Sequence, residues 1–470
     1  MQRRDLMQIM GVSALASQMP LADGRAAHAT GTPSSENNAA RHQGWQNWSA
    51  SLPASTENIA VPQDMAALKK LIGETKGALR PVGSGHSWMP LVPADGAIVR
   101  LDHFGGVKSV DQKTGRAKLG AGAQLKALSP ALAEQGLAFR NLGDIDVQTL
   151  AGATATATHG TGKHLPCLAA EVKGLEMVTG TGDVLRINET ENAALLPAAQ
   201  VSLGALGIIT EMEMQLVPRH KLYRRVQFKP YQEVLAAAQS LWETHRNFEF
   251  FYLPFSGTAM VITHDETDAE DTPRALDESD DGVMQLKALR DWLGWFPWLR
   301  QKLLGAAIAN APEENVIGES WQLLSSARNV PFNEMEYHLP PETALDALEQ
   351  VRAHIERNRP DVFFPFECRM TAGDTAWLSP FNEGPRVSVA VHTHAPTSGH
   401  DAYDFLFTDI EPIFRAAGGR PHWGKLNSLG ADDLRAVYPR YDDFAKLVRD
   451  LDPEKRLQNP YLRGLFGEDA

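Results

Sequence analysis

Only two cysteines, Cys167 and Cys368, occur in the 470 residues. That leaves no spacing of the kind that holds structural zinc, and room for at most one disulfide. No run of about 18 or more apolar residues is present, so no segment reads as a transmembrane helix. Positive charge is also in deficit: 45 Lys and Arg stand against 58 Asp and Glu, a net charge of −13. This argues against nucleic acid as a partner, and no basic run stands out in the body of the chain. The common phosphate-binding fingerprints are missing too. Lys163 follows a segment of small residues, but a Walker A loop would need glycine at Ala157 and Ser or Thr at His164. No G-x-G-x-x-G follows a first strand, which removes the Rossmann reading.

What remains is 43% hydrophobic and 22% charged residues, an ordinary soluble composition long enough for two or three domains. At the N-terminus, Arg3-Arg4-Asp5-Leu6-Met7-Gln8 resembles a twin-arginine export motif without its usual Phe-Leu-Lys ending. A mildly apolar run from Ile9 to Ala22, broken by Gln18 and Pro20, leads to Ala27-His28-Ala29, which fits an A-x-A cleavage site. Residues 1–29 therefore read as a cleavable leader directing the protein to the periplasm. The plainer alternative is a frayed terminus with two chance arginines. Residues 30–55, rich in Ser, Asn, Gly and Ala, read as a flexible lead-in.

The body of the chain alternates short strands with helices, an α+β pattern. Strands are expected at Ala60–Pro62, Ala97–Leu101 and Ala117–Gly122, with helices at Met65–Gly73, capped by Asp64, and at Gln124–Gln135. Thr210 to Pro218 alternates polar and apolar side chains, as a half-buried strand does. Phe248–Leu253 and Ala259–Thr263 read as strands of an antiparallel sheet with helices on one face. The acidic stretch from His264 to Asp281 reads as a solvated insertion. Trp292, Trp295 and Trp298, flanked by Arg290 and Arg300, read as core or lid packing, with a membrane surface as the alternative.

Five segments carry chemistry. Val82-Gly83-Ser84-Gly85-His86-Ser87 surrounds one histidine with glycines and hydroxyls, so backbone N–H groups can approach an anion and the ring can act as a nucleophile. Gly143 and Asp144 lead through Thr149, Gly152, Ala153 and Thr156 to His159-Gly160-Thr161-Gly162, a small-residue segment able to cradle a pyrophosphate or simply to pack closely. Phe363–Met370 reads as a strand whose period of two puts Glu367 and Arg369 on one face and Cys368 on the other. Arg386–His394 repeats that logic with His392 and His394. A metal there would need a third ligand, for which His400 is the candidate, and none is expected. His422-Trp423-Gly424-Lys425 closes the set.

Taken together and in this order, these segments resemble the vanillyl-alcohol-oxidase superfamily, in its aldonolactone and alditol oxidase branch. The resemblance implies a two-part FAD-binding (PCMH-type) domain over residues 56–222. A cap domain with an antiparallel sheet and helices follows over 223–415, and residues 416–470 return to the first domain, with Asn459-Pro460-Tyr461-Leu462 matching the usual closing segment. It implies FAD carried covalently through its 8α-methyl by His86. The 153–162 segment would wrap the diphosphate, and Gly204, Gly207, Ile208 and Ile209 would form the last FAD-contacting element, with His422 and Lys425 also at the flavin. On the substrate side it implies Glu367, Arg369 and Lys425 as charged hydrogen-bonding groups and His392 as the base. His394 stands where the alditol oxidases have threonine, which turns the reading toward an aldonolactone rather than an alditol.

The expected activity is oxidation of a CH–OH group of a small sugar-derived substrate with O₂ as acceptor. A quinone- or cytochrome-linked dehydrogenase, a polyol oxidase, and a flavin carrier or sensor without turnover are the alternatives. If Arg369 and Lys425 hold substrate rather than fold, replacing either by alanine should spare flavin binding and the melting temperature.

Overall fold

The computed structural model describes residues 44–52, 56–272, 302, 313–326, 331–362, 364–394 and 403–467. The leader at 1–29, the tryptophans at 292, 295 and 298, His400, and the acidic insertion beyond residue 272 lie outside the described residues. Residues 264–267, the start of that insertion, are strand rather than loop.

Two sheets build the first part. β1 (Ile59–Ala60), β2 (Leu79–Val82) and β3 (Ala97–Arg100) form a parallel trio in the order β1-β3-β2. Asp64 caps the helix Met65–Glu74 by accepting a 2.8 Å bond from the Ala67 N–H, and Leu68 and Ile72 on that helix cover the trio. A five-stranded antiparallel sheet follows, made of β4 (Val107–Asp111), β5 (Arg116–Gly120), β7 (Val172–Val178), β8 (Val184–Asn188) and β9 (Ile208–Gln215). The two-residue strands β6 (Leu137–Ala138) and β10 (Val217–Pro218) pair beside it. β9 shows the expected alternation: Ile208, Thr210, Met212 and Met214 are buried, whereas Glu211, Glu213 and Gln215 are partly exposed.

The second part is one sheet of eight strands. They are β11 (Lys221–Pro230), β12 (Asn247–Leu253), β13 (Thr258–Thr267), β14 (Glu314–Glu319), β15 (Phe332–Leu339), β16 (Phe366–Thr371), β17 (Arg386–His394) and β18 (Arg420–Pro421). One face carries Phe250, Cys368, Val389 and Tyr337, which are register neighbours across four adjacent strands. The helices Tyr231–Thr244 and Pro341–Asn358 cover that face with Val234, Ala238, Trp242, Leu348 and Val351. Each such buried Val, Leu or Phe contributes about 1.5–3 kcal/mol. Cys368 is thus a core residue, and Cys167 is also buried, its thiol against Asp374 Oδ2 at 3.3 Å. Both are free, so the disulfide that the sequence allowed is not formed.

The C-terminal segment first completes the cap sheet, because β18 pairs with β15, and only then returns. There Asn459 Nδ2 donates to the carbonyls of Pro90 and Pro93 at 2.8 Å each, and Leu79 N–H donates to Arg456 O at 2.7 Å. Arg80, buried, ties three segments by donating to the carbonyls of Leu91, Gly204 and Leu457 at 2.7 Å and of Leu203 at 2.6 Å.

The lead-in is not slack along its whole length. Trp48 N–H donates to Gly85 O at 2.8 Å, Asn47 Nδ2 donates to Ser87 O at 3.0 Å, and Asn47 and Ser49 are buried. The composition suggested a flexible linker; the two tryptophans and Asn47 instead fasten residues 44–52 over the loop that carries His86.

Candidate functional site

Two cavities meet at His86. The first, of about 520 Å³, runs through the first part of the molecule. The second, of about 430 Å³, opens onto the uncovered face of the eight-stranded sheet. His86, Ser87, Gln148 and Thr156 line both, so the two form one elongated space with the histidine at the junction.

Three of the segments that wall the first cavity are the ones the sequence singled out. Val82, Gly83, Ser84, Gly85, His86 and Ser87 come from the loop after β2. Thr149, Gly152 and Thr156 come from the short helix Leu150–Ala155, which Thr149 caps, and Gly204, Gly207 and Ile209 from the turn into β9. A Cβ on Gly83 would lie 2.2 Å from Thr149 Oγ1, so only glycine lets the first two segments approach. Gly85 has φ +72°, which glycine adopts freely. Two buried atoms beside this cavity, His86 Nδ1 and Ser202 Oγ, meet no protein partner. Ser202 went unnoticed in the sequence, where the neighbouring glycines drew attention instead.

Several residues expected at the cofactor do not line the first cavity. Ala153 faces the main core. Ile208 packs with Leu68 and Val99, because β9 alternates and only Ile209 faces the cavity. Gly160 packs on the crossing segment, where a Cβ would meet Leu142 O at 2.3 Å. Thr161 Oγ1 donates to Phe248 O at 2.5 Å and Gly162 N–H to Met370 O at 2.6 Å, so this pair joins the two parts of the molecule. Gly143, Asp144, His159, His422 and Lys425 line the second cavity rather than the first.

Strand register builds the second cavity. Glu249, Arg369, Ser388 and His338 lie in one row across β12, β16, β17 and β15, and Phe251, Glu367, Ala390 and Glu336 in the next. Directly opposed side chains in such rows stand about 4.5–5.5 Å apart, so charged residues on alternate positions must meet. The small Ser388 and Ala390 leave room above the sheet, while Phe251, Met260, Ile262 and Leu323 supply an apolar wall.

Arg369 is the centre of the first charged group. Its Nε donates to Glu249 Oε2 at 2.8 Å, its Nη2 to Asp144 Oδ2 at 2.5 Å, and it pairs with Glu367. Arg369, Glu367 and Glu249 are all buried. Burial works against the guanidinium charge, but Asp144, Glu367 and Glu249 hold its pKa well above the ordinary value. Burial pushes Glu367 well up and Glu249 to about 7, with Asp144 adding to both and Arg369 opposing. Glu249 and Glu367 therefore hold their protons more tightly than ordinary carboxylates despite the nearby cation, and they titrate as a coupled group.

The second group is Lys425, Glu334 and His392. Lys425 Nζ pairs with Glu334 and lies 4.5 Å from the Trp88 ring centroid. His392 Nε2 is 3.5 Å from Glu334 Oε1, and its Nδ1 is 3.0 Å from Pro365 O. Burial would raise the Glu334 pKa, but Lys425 and His392 outweigh it and hold it at about 2. His394 ends β17, and its side chain lies outside the described residues. Behind this group, His159 Nε2 faces Glu336 Oε1 at 3.1 Å, and His422 Nδ1 accepts the Gly424 N–H at 3.0 Å. Burial lowers His422 to about 3, so its ring is neutral with the proton on Nε2.

Glu249, Glu334 and Glu336 are not singled out by the sequence, which gives Asp144 as a cofactor residue rather than as a partner of Arg369. The signal for the glutamates was present, since each is an acid at an alternate position of a strand rich in apolar residues.

Comparison with known proteins follows the same division. A D-arabinono-1,4-lactone oxidase family model matches residues 212–465, and an FAD binding domain model matches residues 58–188. L-gulono-1,4-lactone dehydrogenase of Mycobacterium tuberculosis is 33% identical over 432 residues, covering 90% of this chain and 99% of the relative. L-gulonolactone oxidase of Bos taurus is 27% identical, covering 90% of this chain and 98% of its own. Alditol oxidase of a Streptomyces species is 27% identical, covering 89% and 98%. Among solved structures, cholesterol oxidase from B. sterolicum superimposes with a TM-score of 0.75 at 17% identity, over 90% of this chain and 96% of that one, a likeness of fold.

Proposed function

The chain belongs to the D-arabinono-1,4-lactone oxidase family of FAD-dependent oxidoreductases, and from that membership we propose that it oxidises a CH–OH group of an aldonolactone such as L-gulono-1,4-lactone or D-arabinono-1,4-lactone, with O₂ as the electron acceptor and H₂O₂ as co-product. The carrying observation is the pair of charged groups, Arg369 with its acids and Lys425 with Glu334 and His392, on a sheet face that meets the His86 loop.

The walls suit FAD. The loop, helix start and turn around the first cavity would hold its adenosine and diphosphate, with Ser202 Oγ as an unused donor and the ring end at His86. Bound FAD supplies the acceptor for hydride from the carbinol carbon. The chain does the rest. Arg369 and Lys425 bind and orient substrate oxygens and stabilise charge that develops on them. The His392 Nδ1–H, donated to Pro365 O, leaves Nε2 to take the hydroxyl proton, and Glu334 steadies the charge gained. The apolar wall limits water. His86 carries the flavin covalently, a reading supported by its unpartnered Nδ1 and by a pKa of about 4, lowered by burial and then by Lys425, which keeps the ring neutral and nucleophilic.

Anaerobic mixing with a panel of aldonolactones, alditols and sugar acids tests the substrate class, and readmission of air tests the acceptor. Bleaching by lactones and rapid recovery in air are expected. Bleaching by alditols alone, or recovery only with a quinone or cytochrome, would move the assignment to the corresponding alternative. Acid precipitation should leave flavin on the wild-type chain and release it from His86→Ala.

Export is the second part of the proposal. The Arg3-Arg4 motif and Ala27-His28-Ala29 support transport of the folded, flavin-loaded protein to the periplasm with cleavage after Ala29. N-terminal sequencing of the protein from its native host should begin at Thr30; an intact Met1 in the cytoplasmic fraction would refute it.

A further inference from the structure

The ring of His86 does not hang freely at the cavity junction. Trp48 stacks on it, with centroids 4.8 Å apart and planes inclined by 25°. The same strap holds the backbone on both sides of the histidine, through Trp48 N–H to Gly85 O and Asn47 Nδ2 to Ser87 O. Trp45 closes over Gly85, where a Cβ would stand 3.4 Å from its ring. Trp48 is braced in turn by Phe332 of β15, edge-on at 5.2 Å. A histidine with an unpartnered Nδ1 has no hydrogen bond through that nitrogen to fix its ring plane. The tryptophan face supplies a restraint that leaves the nitrogens unengaged.

We propose that Trp48 is a positioning residue for flavin attachment: by stacking on His86 it holds the imidazole in the orientation from which the ring is alkylated. This rests on the reading of His86 as the covalent attachment site. In that step a C–N bond forms between the imidazole and the 8α carbon. One methyl C–H and one imidazole N–H are lost as protons. The two electrons released stay on the flavin until O₂ removes them with those protons as H₂O₂. Misdirecting one reacting group by about 1 Å can cost on the order of 100-fold in rate, which sets the scale of the effect. The neutral state of His86 is consistent with this role, because a protonated ring could not attack.

Wild type, Trp48→Phe, Trp48→Leu and Trp48→Ala should be purified and compared for total flavin, acid-stable flavin and the rate of attachment on incubation with FAD in air. Trp48→Phe should attach near the wild-type rate. Trp48→Leu and Trp48→Ala should keep FAD bound but attach it at least about tenfold more slowly. Attachment by Trp48→Leu at the wild-type rate would show that apolar cover, not ring stacking, is what matters, and would overturn the proposal. Loss of bound FAD and of melting temperature together in the Leu and Ala variants would overturn it as well, by making the strap part of the fold. A wild-type protein without acid-stable flavin would instead bring down the His86 reading itself, and the Trp48 role with it.

Discussion

Lys425→Met should slow anaerobic flavin reduction by about two to three orders of magnitude, the loss expected when a fixed group that stabilises developing charge is removed. Lys425 is a partly buried cation with a fixed place: Nζ pairs with Glu334 and lies over the Trp88 ring, and the preceding residue is bonded to the end of the His86 loop through Trp88 N–H to Gly424 O at 2.7 Å. The same pairing makes the single variant ambiguous, because it strands Glu334 in the sheet. Glu334 sits at about 2 in the folded protein, below its ordinary 4.5, so it adds stability above pH 4.5 that is lost as pH falls toward 2. At neutral pH Lys425→Met therefore forfeits that contribution, and the melting temperature should drop. Adding Glu334→Gln removes the stranded charge. The double variant should recover melting temperature without recovering the reduction rate. A double variant that reduces flavin at the wild-type rate would mean that Lys425 only neutralises Glu334, and its assigned role toward substrate would be wrong.

The strands at the centre of this site were readable because period two is a local property. Phe366–Thr371 and Arg386–His394 carry their polar residues on alternate positions, and the chain's own pattern placed Glu367 with Arg369. Which strands lie side by side is not local. Glu249 is 120 residues from Arg369 in sequence, and only the register of β12 with β16 makes them partners. Glu334 and Glu336 had the right alternation on β15, but acids on alternate positions of a strand ordinarily mark a solvated face. Here that face is closed by the first part of the molecule. Asp144 carried a different signal: its place in a glycine-bearing loop suggested the cofactor, and its bond to Arg369 comes only from the fold. The strap at 44–52 was lost to composition, since Ser, Asn and Ala outnumber the two tryptophans that dock it. Motif and spacing thus located the His86 loop and the charged strand. The partners that set their ionisation came from tertiary register.

Arg369→Ala should be the most damaging single change, slowing flavin reduction at least about 100-fold. If Arg369 holds substrate rather than fold, the sequence reading expects this change to leave the melting temperature alone. The structure corrects that expectation, because the guanidinium holds Asp144, Glu249 and Glu367 together, with Glu249 and Glu367 buried. Removing one partner of a buried ionic group costs about 3–5 kcal/mol, so the variant should melt lower at neutral pH. The pH dependence identifies the cause. Glu249 has a folded pKa of about 7, raised by burial and Asp144 against the pull of Arg369, so its contribution is fully favourable below about 4.5 and is lost as pH rises through 7. Without Arg369 that pKa moves higher still, and the loss extends to higher pH. The gap in melting temperature between wild type and Arg369→Ala should therefore be small near pH 5 and widen toward pH 8. Arg369→Lys, which keeps a charge but not the forked geometry, should narrow the gap while leaving reduction slow. Thermal denaturation at several pH values, run beside rapid-mixing reduction, separates the two effects. A gap that stays constant from pH 5 to 8 would show that Glu249 does not depend on Arg369 for its charge, and the account of this cluster would have to be abandoned.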